Sequence, residues 1–250
     1  MNIHKTDEKM KNWLRELGDF IQSKSDYKIE EKDNFRDLVS VVDIAVEEKL
    51  AKNIRSLPGE QTILGEEGKN DHIDVDADHL WVIDPIDGTS NFIKQKDDYG
   101  ILVAYFENST PVLSYIYEVE TDTLLSAQKG KGVFVNDEPV ATPDNLALHE
   151  AMITINPRKM NRTELMDTVA KNAFDLRFLG SSASDALRVI LGKYGAFLSP
   201  ESMPWDRAPY ILIAQELGLH MSQFNGEKTS VVGDESFFLG TKKIFEELFE

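Results

Sequence analysis

The spacing of apolar residues along the chain predicts an α/β fold. Apolar positions recur at helical spacing over residues 6–23, and a second helix is predicted over 41–56, where Pro58 and Gly59 end it. Short apolar runs separated by turn residues predict strands in the rest of the first half. These strands are predicted at 62–67, 81–84, 100–106, 111–118, 123–128 and 133–135.

From about residue 150 the pattern changes to alternating strands and helices. The predicted strands lie at 151–155, 175–179, 196–199, 219–223 and 237–239, and the predicted helices at 161–172, 182–192, 206–217 and 242–250. The highly charged stretch 24–36 is predicted to be a mobile loop. An antiparallel first half followed by an alternating second half indicates two lobes, of about 1–150 and 151–250.

Composition narrows the class of protein. The chain has 250 residues, of which 41% are hydrophobic, and this is ordinary for a globular protein with a real core. Its net charge of -17 leaves no basic footprint for nucleic acid, and the lack of cysteine excludes disulfides and thiolate metal ligands. Residues 1–12 are polar, unlike a signal peptide, and no apolar run approaches the roughly 20 residues of a membrane-spanning helix. We therefore expect a cytoplasmic protein that binds neither nucleic acid nor membrane.

Four acidic residues stand where a predicted strand or loop ends, and they are candidate metal ligands. They are Glu66, Asp84, Asp87 and Asp206. One such acid alone is more often a helix cap or a turn residue. Asp84 and Asp87 differ because Pro85, between them, has no backbone N–H, so the strand is expected to stop there with both carboxylates on one side. Two like charges held close together favour a cation between them, and Mg²⁺ is the first candidate for oxygen ligands.

The residues after these acids form a candidate anion site. Gly88 permits a close backbone approach, and Thr89 or Ser90 is suited to begin a helix whose first N–H groups bind an anion. Metal-binding acids followed directly by an anion site indicate a phosphate ester as the substrate. Bound metals would neutralise the phosphate and lower the pKa of a bound water.

Two motifs resemble those of a known family. The stretch DPIDGTSNF at 84–92 is similar to the first signature of the inositol monophosphatase family, and WDRAPYILIAQELG at 205–218 resembles the second. Four further stretches fall in the family's order and spacing. They are DLVSVVD at 37–43, GEE at 65–67, KGKGVFVN at 129–136 and GSSASDALRVILGKYGAF at 180–197. The resemblance covers nearly the whole chain and implies a layered α/β/α/β/α sandwich of two lobes, one phosphatase domain over 1–250, with the metal site between the lobes.

The resemblance also implies a role for individual residues. The implied metal ligands, for two or three Mg²⁺ ions, are Glu66, Asp84, the carbonyl of Ile86, Asp87 and Asp206. Glu66 and Thr89 are implied to orient and activate the attacking water, and Asp43 to join the metal and water network. The phosphate is expected at the backbone amides of Gly88, Thr89 and Ser90, and Lys32 is matched to a lysine of the mobile loop.

The expected substrate pocket departs from the family pattern. Members specific for inositol phosphates often carry an acid six residues before the Trp of the second motif, and this chain has Ser199 there, with Glu201 two residues later. The pocket residues implied by the resemblance are Gly180, Ser181, Ser182, Asp185, Ser199 and Glu201. Because a serine offers fewer hydrogen bonds than a carboxylate, we predict a broad specificity.

Several functions stay open at this point. The resemblance implies a lithium-sensitive phosphatase and a homodimer, and four substrates compete. They are inositol monophosphate, the 2′-phosphate of NADP(H), fructose 1,6-bisphosphate and 3′-phosphoadenosine 5′-phosphate. A non-catalytic metal-binding module is the alternative from a different class. It would be favoured by the loss of Thr89, Glu66 or one of the three aspartates, and all of them are present.

Overall fold

The structure, a computed structural model, describes residues 1–24, 29–31, 38–68, 73–156 and 164–250. Lys32 and most of the predicted loop 24–36 lie outside the described residues. The helices are α1 (Ile3–Gln22), α2 (Val41–Arg55), α3 (Thr89–Lys94), α4 (Glu164–Asn172), α5 (Ser182–Ile190), α6 (Pro204–Leu217) and α7 (Lys242–Phe249), with a 3₁₀ turn at Leu148–Glu150.

The strands belong to three sheets. They are β1 (Ile29–Glu31), β2 (Leu38–Ser40), β3 (Thr62–Gly65), β4 (His79–Asp87), β5 (Gly100–Glu107), β6 (Thr110–Glu118), β7 (Thr123–Gln128), β8 (Gly132–Val135), β9 (Glu138–Pro139), β10 (Met152–Ile155), β11 (Asp175–Arg177), β12 (Ala196–Ser202), β13 (His220–Ser222) and β14 (Glu235–Gly240). A large sheet has the order β3-β4-β5-β6-β7-β8-β9, and a second sheet has the order β11-β10-β12-β14-β13. Strands β1 and β2 form a small antiparallel pair.

Alternate side chains of the large sheet pack in two directions. On β5, Ile101 and Val103 contact one apolar cluster with α1 and α2, whereas Leu102 belongs to a second cluster with α5 and α6. This alternation follows from the two-residue period of a strand. The outer face of the second sheet is covered by α4 and α7. The five layers are therefore α1/α2, the large sheet, α5/α6, the second sheet and α4/α7, and the predicted layered α/β/α/β/α sandwich is confirmed.

The strand that carries the candidate ligands differs from its prediction. We expected it to stop at Pro85, but β4 continues to Asp87. Its register against β5 shifts between Asp84 and Asp87, which marks a bulge. A proline is tolerated at a bulge because its missing N–H is not needed for the ladder there.

Two other expectations are wrong in detail. Residues 29–31, expected in the charged loop, pair with β2 as β1. The helix predicted at 206–217 begins at Pro204, so Pro209 lies in its second turn and not in the first. A proline there has no N–H to donate to the carbonyl four residues before it. In the part of the chain that the structure describes, no helix has the length and apolar character needed to cross a membrane.

Candidate active site and metal centre

Three carboxylates from distant parts of the chain meet between the layers. Asp84 and Asp87 come from the end of β4, and Asp206 comes from the first turn of α6. One oxygen of each lies within 4.8 Å of the others. Asp84 and Asp87 are buried, and Asp206 is half-buried. The layered fold thus brings the two motifs of the sequence to one place.

The raised pKa values of two of these acids indicate that the cluster would be stabilised by a bound cation. Burial raises the pKa of Asp84 well above its usual value, and the nearby Glu66, Asp87 and Asp206 carboxylates raise it further. Burial, followed by the charge of Asp206, raises the pKa of Asp87 to about 7. A divalent cation among these oxygens would offset the repulsion and keep both groups ionised. The all-oxygen donor set fits a hard cation such as Mg²⁺ or Ca²⁺.

Thr89 is held between two acceptors next to the cluster. Its hydroxyl oxygen lies 3.0 Å from Asp43 Oδ1 and 3.0 Å from the carbonyl oxygen of Ile86. Asp43 is buried in the first turn of α2. The Thr89 hydroxyl has one proton to donate and keeps its lone pairs to accept a hydrogen bond from a third group. Gly88, with φ of +82°, precedes α3, and Ser90 is half-buried in the first turn of that helix.

Glu66 reaches the cluster from the end of β3. Its carboxyl group is within hydrogen-bonding distance of Asp84. The turn that holds it is supported by Glu47 Oε2, which accepts from the backbone N–H of Glu67 at 2.9 Å. A Cβ on Gly65 would lie 2.6 Å from the Glu47 carboxylate, so this glycine allows the close approach.

Asp87 is bound from its other side by the start of α5. Its Oδ2 accepts from the Ser181 hydroxyl and, at 2.7 Å, from the backbone N–H of Ala183. Ser181 and Asp87 are both buried. The Ser181 side chain therefore binds a candidate metal ligand, and Ser181 also lines the cavity in which the family resemblance implies a substrate contact.

A cavity of about 210 Å³ opens beside Asp87 and Asp206. Five of the six predicted pocket residues line it, and Glu201 is exposed and does not. Its walls are formed by Asp87, Asn156, Phe178, Gly180, Ser181, Ser182, Asp185, Phe197, Ser199, Ser202, Asp206 and Phe237. Ser199 donates to the carbonyl of Glu201 at 2.8 Å, and Ser182 lies 2.8 Å from the Tyr210 hydroxyl.

Asp185 lies at the wall of this cavity but is only 1% exposed. Its Oδ1 accepts from the Thr154 hydroxyl at 2.6 Å and from the backbone N–H of Leu179 at 3.3 Å. Burial raises the pKa of Asp185 to about 6, although these hydrogen bonds act in the opposite direction. Its carboxylate holds the chain segment that leads into Gly180.

Arg207, directly after Asp206, is fully buried. Its guanidinium donates to the carbonyl of Ser202, to that of Ser230 at 3.0 Å, and to those of Val232 and Gly233 at 3.0 and 2.9 Å. This one side chain ties the start of α6 to the segment before β14.

Several residues of this region were not predicted from the sequence, among them Phe197, Ser202 and Phe237 of the cavity wall. Glu47 supports the Glu66 turn and stands one helical turn after Asp43, a spacing that could have identified it. Asn91 donates to the carbonyls of Asp98 and Leu179 at 2.8 and 2.9 Å, and it lies inside the first motif. Asn156 and Phe178 line the cavity, and no local pattern distinguishes them.

This fold and this site define the class of phosphoric monoester hydrolases that carry a carboxylate metal site. The model of the inositol monophosphatase family matches residues 5–249, and the chain belongs to that family.

Curated relatives have names that agree with this class. The chain is 31% identical to the inositol-1-monophosphatase of Bacillus subtilis, over 100% of this chain and 97% of the relative. It is 29% identical to the fructose-1,6-bisphosphatase/inositol-1-monophosphatase of Thermotoga maritima, over 84% of this chain and 80% of the relative.

Solved structures show the same fold with bound ligands. An IMPase/NADP phosphatase with Mg²⁺ and phosphate is 31% identical, with a TM-score of 0.95 over 100% of this chain and 95% of that chain. A structure of an IMPase/NADP phosphatase with NADP and Ca²⁺ has a TM-score of 0.93, and a dual-specific IMPase/NADP phosphatase with D-inositol-1-phosphate has one of 0.92, each at 30% identity and the same coverage. A Staphylococcal inositol monophosphatase-1 soaked in LiCl is described as an inhibitory complex.

Proposed function

We propose that this chain is a Mg²⁺-dependent phosphatase of small phosphate monoesters that accepts both inositol monophosphate and the 2′-phosphate of NADP(H). One observation carries this proposal: Asp87 and Asp206 belong at once to the carboxylate cluster and to the wall of the cavity. A phosphate bound at the cluster would therefore have its leaving group in the cavity. The ligands of the solved relatives support both substrates.

We assign the metal ligands to Glu66, Asp84, the carbonyl of Ile86, Asp87 and Asp206, for two or three Mg²⁺ ions. The proximity of the carboxylates and their raised pKa values support this assignment. When bound, the ions neutralise the phosphate and lower the pKa of a water. The carboxylates and the carbonyl of this chain fix the positions at which this happens.

We assign the attacking water to Thr89 and Glu66. Thr89 Oγ1 donates to Asp43 Oδ1, so its lone pairs are left to accept from a water. As that water attacks, its proton passes to Glu66 or, through the Thr89 hydroxyl, to Asp43. The backbone amides of Gly88, Thr89 and Ser90, at the turn into α3, are assigned to the phosphate oxygens.

The walls of the cavity support a broad range of leaving groups. Ser199 and Ser202 in its wall are short, and a short hydroxyl discriminates among sugar hydroxyls less than a free carboxylate does. The Asp185 carboxylate in the same wall already accepts from Thr154 and Leu179. Its apolar wall is aromatic, with the rings of Phe197 and Phe237 packed edge to face at 4.9 Å. Phe178, 39% exposed at the same cavity, offers a ring for a flat base such as adenine.

The test compares Phe178→Ala with the control Phe174→Ala, whose exposed ring is not among the cavity walls. Inorganic phosphate release is measured with inositol 1-phosphate, NADP and fructose 1,6-bisphosphate at equal Mg²⁺. We expect Phe178→Ala to lower kcat/KM about tenfold for NADP and little for inositol 1-phosphate, because only adenine loses a stacking partner. An equal loss for both substrates would contradict this use of the ring. A wild type that releases no phosphate with Mg²⁺ would refute the proposed function.

The acid missing from position 199 gives a second test. Ser199→Glu should raise the preference for inositol 1-phosphate over NADP, because a carboxylate accepts hydroxyl hydrogen bonds strongly. Glu201→Ala should leave the preference unchanged, since Glu201 does not line the cavity. If wild type is strictly inositol-specific and Glu201→Ala alone removes that preference, the broad-range proposal fails. Fructose 1,6-bisphosphate is assayed beside the other two substrates, because the Thermotoga maritima relative is named a fructose-1,6-bisphosphatase/inositol-1-monophosphatase.

We further propose a homodimer and one domain, 1–250, whose two lobes divide near residue 150. The two sheets that pack on opposite sides of α5 and α6 support the lobes. The dimer is supported by the resemblance and by β11, which forms an edge of the second sheet. Light scattering at several protein concentrations tests it, and a monomer throughout would refute it. The cytoplasmic location stays a prediction that cell fractionation tests.

A further inference from the structure

The side chain of Asp87 is bound by a part of the chain 94 residues away. Its Oδ2 accepts from the Ser181 hydroxyl and from the N–H of Ala183 at 2.7 Å, and its carboxylate also accepts from the N–H of Ser182. Two of these donors meet at Oδ2, so α5 holds this oxygen at two points. All three donors belong to the start of α5, which lies between the two sheets.

The proton of the Ser181 hydroxyl has a fixed direction. Ser181 is the N-cap of α5, and its Oγ accepts from the backbone N–H of Ser184 at 3.2 Å. Because that N–H occupies a lone pair of Oγ, the hydroxyl proton points to Asp87 and does not rotate freely. The hydroxyl is thus already oriented as a donor to a charged acceptor, which is the stronger kind of hydrogen bond.

The start of α5 is itself fixed to the large sheet. Ser184 Oγ donates to Glu118 Oε1 at 2.9 Å, and Arg188 NH1 lies 3.3 Å from the same oxygen. On the other side, Gly88 packs so closely that a Cβ there would lie 2.8 Å from the Ser181 Cβ. Ser181 therefore has little room to move relative to Asp87.

We propose that Ser181, together with the first turn of α5, is a positioning residue that orients Asp87 for a divalent cation. The inference rests on the proposed metal site, but it gives Ser181 a different role from the substrate contact that the family resemblance implies. Without this hydroxyl, Asp87 would keep only its two backbone N–H donors and would be held less firmly in one orientation. Metal affinity would then fall because a mobile ligand has to be ordered on binding.

The experiment measures Mg²⁺ affinity directly, by calorimetry on the metal-free full chain, for wild type, Ser181→Ala and Ser181→Thr. The control is Ser114→Ala, which removes a buried hydroxyl that has no hydrogen-bond partner in the described residues. We expect Ser181→Ala to weaken Mg²⁺ binding about tenfold or more, as the loss of a hydrogen bond to a charged group implies. Ser181→Thr, which keeps a hydroxyl, and Ser114→Ala should both stay within about threefold of wild type.

Kinetics separate the positioning role from a substrate contact. In Ser181→Ala the Mg²⁺ concentration for half-maximal activity should rise, while KM for inositol 1-phosphate at saturating Mg²⁺ stays near the wild-type value. An unchanged Mg²⁺ affinity, with or without a raised KM, would overturn the inference. A wild type that neither binds Mg²⁺ nor releases phosphate would instead refute the proposed function. If Ser181→Ala melts below the working temperature, Ser181→Cys, a weaker donor, replaces it, and wild-type affinity in that variant would equally overturn the inference.

Discussion

The stability of the Asp185→Asn variant relative to wild type should increase as the pH rises from acid to neutral. Asp185 is 1% exposed, and burial raises its pKa from 3.8 to about 6 despite the hydrogen bonds from Thr154 and Leu179. The folded protein therefore binds this proton more tightly than the unfolded chain does. The protonated Asp185 carboxyl group therefore makes its full contribution to the free energy of unfolding below about pH 3.8, and this contribution is lost as the pH rises through about 6.

The size of the effect follows from the two pKa values. Each pKa unit is worth about 1.4 kcal/mol, so the ionised carboxylate costs about 3 kcal/mol once it is charged in both states. Between about pH 4.5 and about pH 8, the change amounts to about 2 kcal/mol. Asparagine does not titrate, and its carbonyl oxygen still accepts from Thr154, so the variant avoids this loss.

Urea unfolding in EDTA, followed by tryptophan fluorescence, measures the free energy of unfolding of both proteins across this pH range. We expect the stability of Asp185→Asn relative to wild type to rise by about 2 kcal/mol from about pH 4.5 to about pH 8. The control is Asp167→Asn, because Asp167 is exposed on α4. A difference between Asp185→Asn and wild type that is flat with pH would refute the reasoning.

Three further predictions concern the chemistry. Thr89→Ala should lower kcat about 100-fold or more with little change in KM, because the Thr89 side chain is assigned to the attacking water and not to the leaving group. Thr89→Ser, which keeps the hydroxyl, should restore much of the rate. A raised KM at normal kcat would assign Thr89 to substrate binding. Asp84→Asn should abolish turnover and weaken Mg²⁺ binding together, which calorimetry and phosphate release check, and unchanged Mg²⁺ affinity would contradict the assignment. In wild type, Li⁺ should inhibit and Ca²⁺ should support little activity, because Ca²⁺ does not impose the rigid coordination geometry of Mg²⁺. Full activity with Ca²⁺ in place of Mg²⁺ would contradict this prediction.

The sequence predicted the layers of the fold and the meeting of the two motifs. Apolar periods locate most helices and strands, and the acids at strand and helix ends identify Asp84, Asp87 and Asp206. The bulge at Pro85 was not predictable, because it depends on the register of β4 against β5. A local pattern reports which face of an element is apolar, but not how a strand shifts along its neighbour.

The roles of the pocket residues were also beyond a sequence argument. Ser181 and Asp185 stand in the stretch implied to meet substrate, yet one binds Asp87 and the other binds Thr154. Which acceptor a serine finds depends on packing between α5 and the end of β4, two elements that are far apart in the chain. For Glu47, the spacing from Asp43 indicates a shared helix face, but its partner, the N–H of Glu67, follows only from the packing of α2 against the end of β3.

The hydrogen bonds of the Arg207 guanidinium limit which parts of this chain can be removed or replaced. Arg207 directly follows Asp206 in the second motif, and its guanidinium donates to the carbonyls of Ser230, Val232 and Gly233. A truncation before Ser230 would leave this buried cation without those acceptors and would also remove β14 from the interior of its sheet. A fusion partner should therefore not replace the segment that begins at Ser230. Substitutions at Arg207 and at Glu235, whose carboxylate lies 3.5 Å from the Arg207 guanidinium, should be introduced together and screened as pairs.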